Sequence, residues 1–538
     1  MLLDQKKLFF YYFFILICLS AVLFSNPFLR YPYDMIHHLI VIDDIYAALT
    51  TSTEKLVGIW SNNIYIMIPT GEYEEVALSR ARYIWHYAWA TVFNIAGIDS
   101  AQMILRAKII HIVQIYLTLF SIYFFSKVAI RNVFKTIDAL TLKWLSLWSV
   151  IIWLSIFATF SGAYHQVWIM WYSVNYQITL PLFWHITALT LVLLLEDTSW
   201  KKKLFFIVQI IIISRFMLQA HSMEFMYYLM HVFIFSLVFI DKLIFLFKKY
   251  IYLLLPIVFT VWYFMKNYQT ENSAIFNYLS LEKLPELYEK ILREGNILLH
   301  GYNRASGTVN ELMYFIGLLS IVALSHILWR TLKNDTQVIH TRILIYLTLT
   351  SLFVLIPLYQ FSGGLFAVIT KTMVVNRLYY SSSLFILLPI MIYYIINTYG
   401  LRLKTINIVL ALILFCVAIF SKHNDTLNHN YYKNIQSIKY SFIERRIGFN
   451  LSKKQIAIIG KILNMYESNR KDEREIFYYA RADIAFVIKY IYKKNVYWKG
   501  RRVNPDFKKH YEESKHNPDY KHILFEIPKN FPEYRPYS

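Results

Sequence analysis

The sequence predicts an all-α polytopic membrane protein of about eleven transmembrane helices, followed by a small soluble C-terminal domain. Three observations carry that expectation. The 538 residues are 57% hydrophobic and 18% aromatic but only 17% charged, too apolar a balance for an ordinary water-soluble domain. Apolar runs near spanning length recur along residues 1–421, whereas residues 422–538 hold 24 Lys and Arg against 13 Asp and Glu. The connections between alternate runs are basic, as cytoplasmic loops are.

The runs fall at roughly 8–24, 107–127, 141–160, 176–195, 203–220, 225–247, 250–266, 311–329, 342–360, 379–396 and 405–421. Lys6 and Lys7 precede the first, which ends in Ser25-Asn26-Pro27 without a clear small-x-small cleavage site, so it reads as a retained signal anchor. With that end inside, the alternate loops carry Arg131 and Lys135, Lys201 to Lys203, Lys248 and Lys249, Arg330 and Lys333, and Arg402 and Lys404. The expectation is a multi-pass protein of the inner (plasma) membrane, N-terminus cytoplasmic and C-terminus extracytoplasmic. Two long outside segments follow from it. Segment 25–106 contains an amphipathic, aromatic stretch from Arg80 to Trp89, expected to lie along a membrane face, and 267–310 contains Gly295, Gly301 and Gly307, which reads either as a substrate-gating loop or as an ordinary solvated one.

In the tail, the apolar spacing of Ile458, Ile459, Ile462, Leu463 and Tyr466 predicts helix within 455–492, and Pro505, Pro518, Pro528, Pro532 and Pro536 predict an extended end. Formal net charge is +21, and about half of the excess lies in this tail. A basic surface of this kind suits anionic lipid headgroups or glycan phosphates; nucleic acid is excluded as a partner because much of the remaining charge sits in short loops. Cys18 and Cys416 both lie in apolar runs, which leaves no disulfide framework and no cysteine metal site.

The chemistry-bearing residues gather on the expected outside face. Directly after the first run stand Asp34, His37 and His38, at i, i+3 and i+4, with Asp43 and Asp44 further on. Helical backbone there projects the first three from one face. His221 and Glu224 flank the turn between the fifth and sixth runs, where they act in a site or merely cap a hairpin. Arg215 stands near an apolar run's end, a costly position without an anion to meet. Arg80, Arg82 and Arg377 complete the cationic set, and Arg106, Lys108, His111 and Gln114 lie at the outer end of the second run. His185, His231 and His326 are isolated in apolar context and read as hydrogen-bonded core histidines. For a divalent metal, Asp34, His37, His38 and Glu224 are ligands of a suitable kind, but their spacing matches no strong signature.

With many apolar runs, a long first outside loop opening at Asp34, the helix Tyr83-Ile84-Trp85-His86 before the second run and a soluble outer domain, the chain resembles the GT-C glycosyltransferases. These include oligosaccharyltransferases, protein O-mannosyltransferases and lipid A aminoarabinose transferases. The resemblance implies transfer of a sugar from a polyprenyl-phosphate donor to a cell-envelope glycan, lipid or protein, with membrane lipid as a further partner. It implies a catalytic carboxylate at Asp34, although the first outside loop, 25–106, lacks an adjacent Asp-Glu pair and Asp43-Asp44 is an equally placed rival. Such chemistry needs a base for the acceptor proton and cations for the departing phosphate, roles open to Asp34 and to Arg377, Arg215 or Arg80 and Arg82. Asp43, Asp44 and Glu224 are further catalytic candidates, with His37, His38 and His221 placed to bind substrate. No glycine-rich phosphate loop is present, in keeping with a lipid-linked donor. Two alternatives stay open: a surface-polysaccharide polymerase or ligase, supported by Arg80, Arg82, Arg293 and Arg304, and a lipid-linked glycan flippase or transporter.

Overall fold

The computed structural model describes residues 63–67, 73–77, 80–99, 102–134, 136–153, 176–220, 222–241, 283–298, 341–354, 359–369, 378–398, 453–468, 474–480, 487–492, 494–497 and 520–525, with single positions elsewhere, among them 38, 39, 42, 43, 45, 46, 49 and 50. An antiparallel ribbon, β1 (Asn63–Met67) and β2 (Tyr73–Ala77), pairs Asn63 with Ala77 and precedes the helices. These helices are α1 (Arg80–Ile95), α2 (Met103–Val133), α3 (Ala139–Ile152), α4 (Tyr176–Leu195), α5 (Trp200–Ala220) and α6 (Ser222–Val238). Then come α7 (Leu284–Ile297), α8 (Thr341–Ser351), α9 (Gln360–Ile369), α10 (Leu384–Thr398) and α11 (Lys453–Ser468). A three-stranded sheet follows: β3 (Glu475–Tyr479), β4 (Asn495–Tyr497) and β5 (Tyr520–Leu524).

The expectation of about eleven transmembrane helices is overturned: among the described residues no helix is long and apolar enough to cross a membrane. Seven of the apolar runs overlap helices, but most of those helices are short or interrupted by charge. The described residues of α3, α8 and α10 number only 14, 11 and 15, fewer than the roughly 20 that a span needs. α2 is longer but carries Arg106, Lys108, Lys127 and Arg131, and α5 opens on three lysines. α4, the longest uncharged helix, contains Pro181 and packs against α2, α5 and α6. The transmembrane reading is therefore corrected for the described residues. The runs at 8–24, 250–266 and 405–421, and nearly all of 311–329, lie outside the described residues.

The all-α expectation is corrected as well. Strand β3 lies between β4 and β5 and runs parallel to both, with Phe477 opposite Asn495 and Glu475 opposite Tyr520. The alternation of Glu475-Ile-Phe-Tyr-Tyr479 sends Ile476 and Tyr478 into the cluster that holds α11, while Phe477 and Tyr479 pack with Tyr511 and Leu524. Helix α11 turns Ile458, Ile459, Ile462 and Leu463 inward, as their spacing predicts. Gly460 leaves room for the ring of Tyr492, whose hydroxyl donates to the Ile456 carbonyl at 2.8 Å.

Two apolar clusters organise the helices. The larger collects α2, α3, α4, α6, α8 and α10 around Trp144, Trp184, Tyr227 and Phe385. Asp138 caps α3, its Oδ1 accepting from the backbone N–H groups of Leu140 and Thr141, a contact worth about 1 kcal/mol in such positions. The second cluster joins Leu39, Ile42 and Ile45 with α1, the first turns of α2 and the C-terminal unit. Part of the glycine-bearing segment 267–310 is α7, which packs on α9 through Gly295 against Gln360 and Gly364 against Ile291; a Cβ on either glycine would meet the facing backbone. That glycine serves helix packing, while Gly301 and Gly307 lie outside the described residues.

His231, buried in the larger cluster, is the hydrogen-bonded core histidine its context predicts. Its Nε2 donates to the Ser381 carbonyl and its Nδ1 accepts from the Tyr346 hydroxyl, both at 2.7 Å, an arrangement that suits the neutral ring. Burial pushes its pKa down to about 4, against a smaller upward pull from the Ser381 carbonyl. The unfolded chain then takes up a proton below about pH 6.5 that the folded chain refuses until about pH 4, so folding stability is full above the first value and falls toward the second. The contribution amounts to about 3 kcal/mol over that window. Urea unfolding at pH 7.0, 5.5 and 4.5 is expected to show His231→Gln losing less stability on acidification than the wild type.

Candidate functional site

The second cluster contains the acidic stretch singled out in the sequence. Positions 38, 39, 42, 43, 45, 46, 49 and 50 are helical, and the spacing of Leu39, Ile42 and Ile45 buries one face. His38 and Asp43 are buried with it. Facing them are Trp85, His86, Trp89 and Phe93 from α1, and Arg106, Ala107, Ile110 and Gln114 from α2. Helix α1 is the amphipathic Arg80–Trp89 stretch extended to Ile95. Its aromatic face was expected to lie along a membrane; instead Trp85, His86 and Phe93 are covered by protein.

The centre of the group is an ion pair. Arg106 Nη1 donates to Asp43 Oδ1 at 2.8 Å, with side chains 0% and 9% exposed. Nε and Nη2 of the same guanidinium both donate to the Ile98 carbonyl, at 3.1 and 2.6 Å. Its carbon lies 4.1 Å from the centre of the Tyr46 ring and 5.2 Å from that of Phe93. The Ile98 carbonyl is delivered by the way α1 ends. Gly97 adopts φ +65, the Ile98 N–H donates to Phe93 O at 2.9 Å and the Gly97 N–H to Asn94 O at 3.2 Å. This is a Schellman cap, and glycine takes its left-handed residue without the strain a Cβ brings.

A second buried contact joins the same segment to α1, an imidazole pair. His38 Nδ1 and His86 Nε2 are 2.7 Å apart, their rings stacked at 5.0 Å with a 28° tilt. A hydrogen bond between two ring nitrogens needs one to donate and the other to be unprotonated, so the contact excludes both rings being imidazolium at once. Trp85 meets both rings edge-on, and its Nε1–H donates to Gln114 Oε1 at 2.7 Å. The 38–50 segment is thus tied to α1 and α2 by a buried ion pair and a buried imidazole pair, groups that proteins bury mainly where ionisation is used or where a segment must be held in register.

The remaining candidates are distributed as follows. Glu224, in the first turn of α6, is buried and accepts from Thr179 Oγ1 of α4 at 3.0 Å. Arg215 is exposed near the end of α5, beside Phe216, which packs on the second cluster. Arg80 and Arg82 open α1. Asp34, His37, Asp44, His221 and Arg377 lie outside the described residues. Among the described residues no group of three or more His, Cys, Asp and Glu is placed to hold a metal ion; His38 and His86 supply two ring nitrogens. The partner of Asp43 was not among the candidate site residues. Its signal was present: an arginine at the outer end of the second apolar run, a position that needs an anion to meet. No family model and no curated protein matches the chain.

Removing one member of a buried ion pair strands the other. Arg106→Met is expected to lower stability by about 3 to 5 kcal/mol, while Asp43→Leu combined with Arg106→Met recovers a large part of that loss. Urea midpoints of the two single variants and the double variant measure the coupling.

Proposed function

We propose that the chain is a glycosyltransferase that moves a sugar from a polyprenyl-phosphate donor to an acceptor hydroxyl or amine of a cell-envelope glycan, lipid or protein. The observation that supports this reading most is the burial of two ionisable pairs, His38 with His86 and Asp43 with Arg106, which ties the segment after Asp34 to α1 and α2. Desolvated ionisable groups gathered from three segments are costly, and active sites are where that cost is usually met.

The carboxylates divide by their surroundings. Asp43 is engaged by Arg106 and positions the stretch, which leaves Asp34, with Asp44 as its rival, to take the acceptor proton. As the acceptor oxygen or nitrogen bonds to the anomeric carbon, the bond from that carbon to the donor phosphate oxygen breaks, and the polyprenyl phosphate leaves with the electron pair. A cation must meet that developing charge. Arg106 is committed to Asp43 and the Ile98 carbonyl, so the role falls to Arg215, Arg377, Arg80 or Arg82, whose planar guanidinium suits phosphate oxygens.

Asp34→Asn is expected to lower the transfer rate by roughly 10²- to 10⁴-fold while leaving the unfolding midpoint unchanged, and Asp43→Asn to lower the midpoint first. The assay follows release of polyprenyl phosphate from a radiolabelled lipid-linked sugar. Full activity in both Asp34→Asn and Asp44→Asn overturns the proposal.

A further inference from the structure

Helix α5 buries one side against α1, α4 and α6 and turns the other outward. The outward side is apolar. Leu204, Phe205, Val208, Ile211 and Ile212, spaced at i, i+1, i+4, i+7 and i+8, form a single exposed stripe in which Phe205 is 59% and Ile212 62% accessible. The neighbouring α6 adds a second stripe at Leu229, Phe233 and Leu237. Soluble surfaces scatter such residues singly, and runs of this kind mark a surface that something covers.

The charge around the α5 stripe indicates what covers it. Trp200, 69% exposed, and the exposed Lys201 and Lys202 stand at one end with Lys203, and the exposed Arg215 stands beyond the other; α5 contains no Asp or Glu, and of the two acids just before it Glu196 pairs with Arg131 while Asp197 is exposed. Two copies apposed on this stripe bring cations against cations in either orientation, lysine end on lysine end or lysine end on Arg215. An anionic lipid surface answers both features, its acyl chains meeting the stripe and its headgroups meeting the cations, with tryptophan at the level it prefers between them. We infer that the outward face of α5 docks on an anionic phospholipid surface. The contact is made by a helix face and requires no helix to cross the bilayer, and it stands independently of sugar transfer.

The test is flotation of the full chain with vesicles of phosphatidylcholine containing phosphatidylglycerol, and with vesicles of phosphatidylcholine alone. Binding is expected to be much stronger with phosphatidylglycerol. Replacing Lys201, Lys202 and Lys203 by Gln is expected to weaken it on the order of a hundredfold, about fivefold for each charge, with no change in the unfolding midpoint. Ile212→Glu is expected to weaken binding to both vesicle types. A second measurement is free of any folding effect in those variants: brominated acyl chains are expected to quench the fluorescence that distinguishes the wild type from Trp200→Phe. Equal binding by the lysine variant, absence of that quenching, or self-association without vesicles that Ile212→Glu abolishes each overturns the inference, the last by naming a second copy as the occupant.

Discussion

The interaction on which the N-terminal half depends is the pairing of Arg106 with Asp43. A guanidinium with no accessible surface has to be compensated, and here all its described hydrogen bonds point at two acceptors, the Asp43 carboxylate and the Ile98 carbonyl. Coulombic attraction in such a corner barely offsets the desolvation of both ions. What the pair supplies is register, because the placement of the 38–50 segment that satisfies the arginine also brings His38 onto His86. Stability comes mainly from the apolar residues around it, Leu39, Ile42, Trp85, Phe93 and Ile110.

The corner is built from local rules acting in sequence. Gly97 ends α1 in a left-handed turn, the turn presents a carbonyl, the carbonyl orients Arg106, and Arg106 fixes Asp43. Each step leaves the next little freedom. The same cluster continues into the C-terminal unit through Ile459, Tyr478 and Ile488, so Leu39, Ile42 and Ile45 share one apolar core with the first helices and with β3. The larger helical cluster carries the complementary burden: its neutral His231 bridges α6, α8 and the Ser381 carbonyl in a setting that admits no charge.

Helix positions were largely legible in the sequence. The run at 176–195 coincides with α4, the run at 203–220 lies within α5, and the Ile458 to Leu463 spacing lies on the buried side of α11. What those apolar runs face was not legible, because a helix buried in protein and one buried in lipid present the same composition. The sheet was missed for a related reason: β3, β4 and β5 are three to five residues long, and β3, buried on both faces, reads like a fragment of the preceding amphipathic helix. The acidic stretch was recognised from its residue types. The partner of Asp43 was not assigned, since the two lie 63 positions apart and only the turn at Gly97 brings α2 back to meet the earlier segment.

The most direct measurement of the central claim is amide hydrogen exchange across residues 38–50 in the wild type and in Arg106→Met. If the ion pair fixes this segment, amides of Ile42 to Tyr46 exchange in the wild type as slowly as those of α1 and in the variant on the order of a hundredfold faster, while α4 and α10 keep their protection. Unchanged protection of Ile42 to Tyr46 in the variant would contradict the account, because apolar packing alone would then be holding the stretch in place.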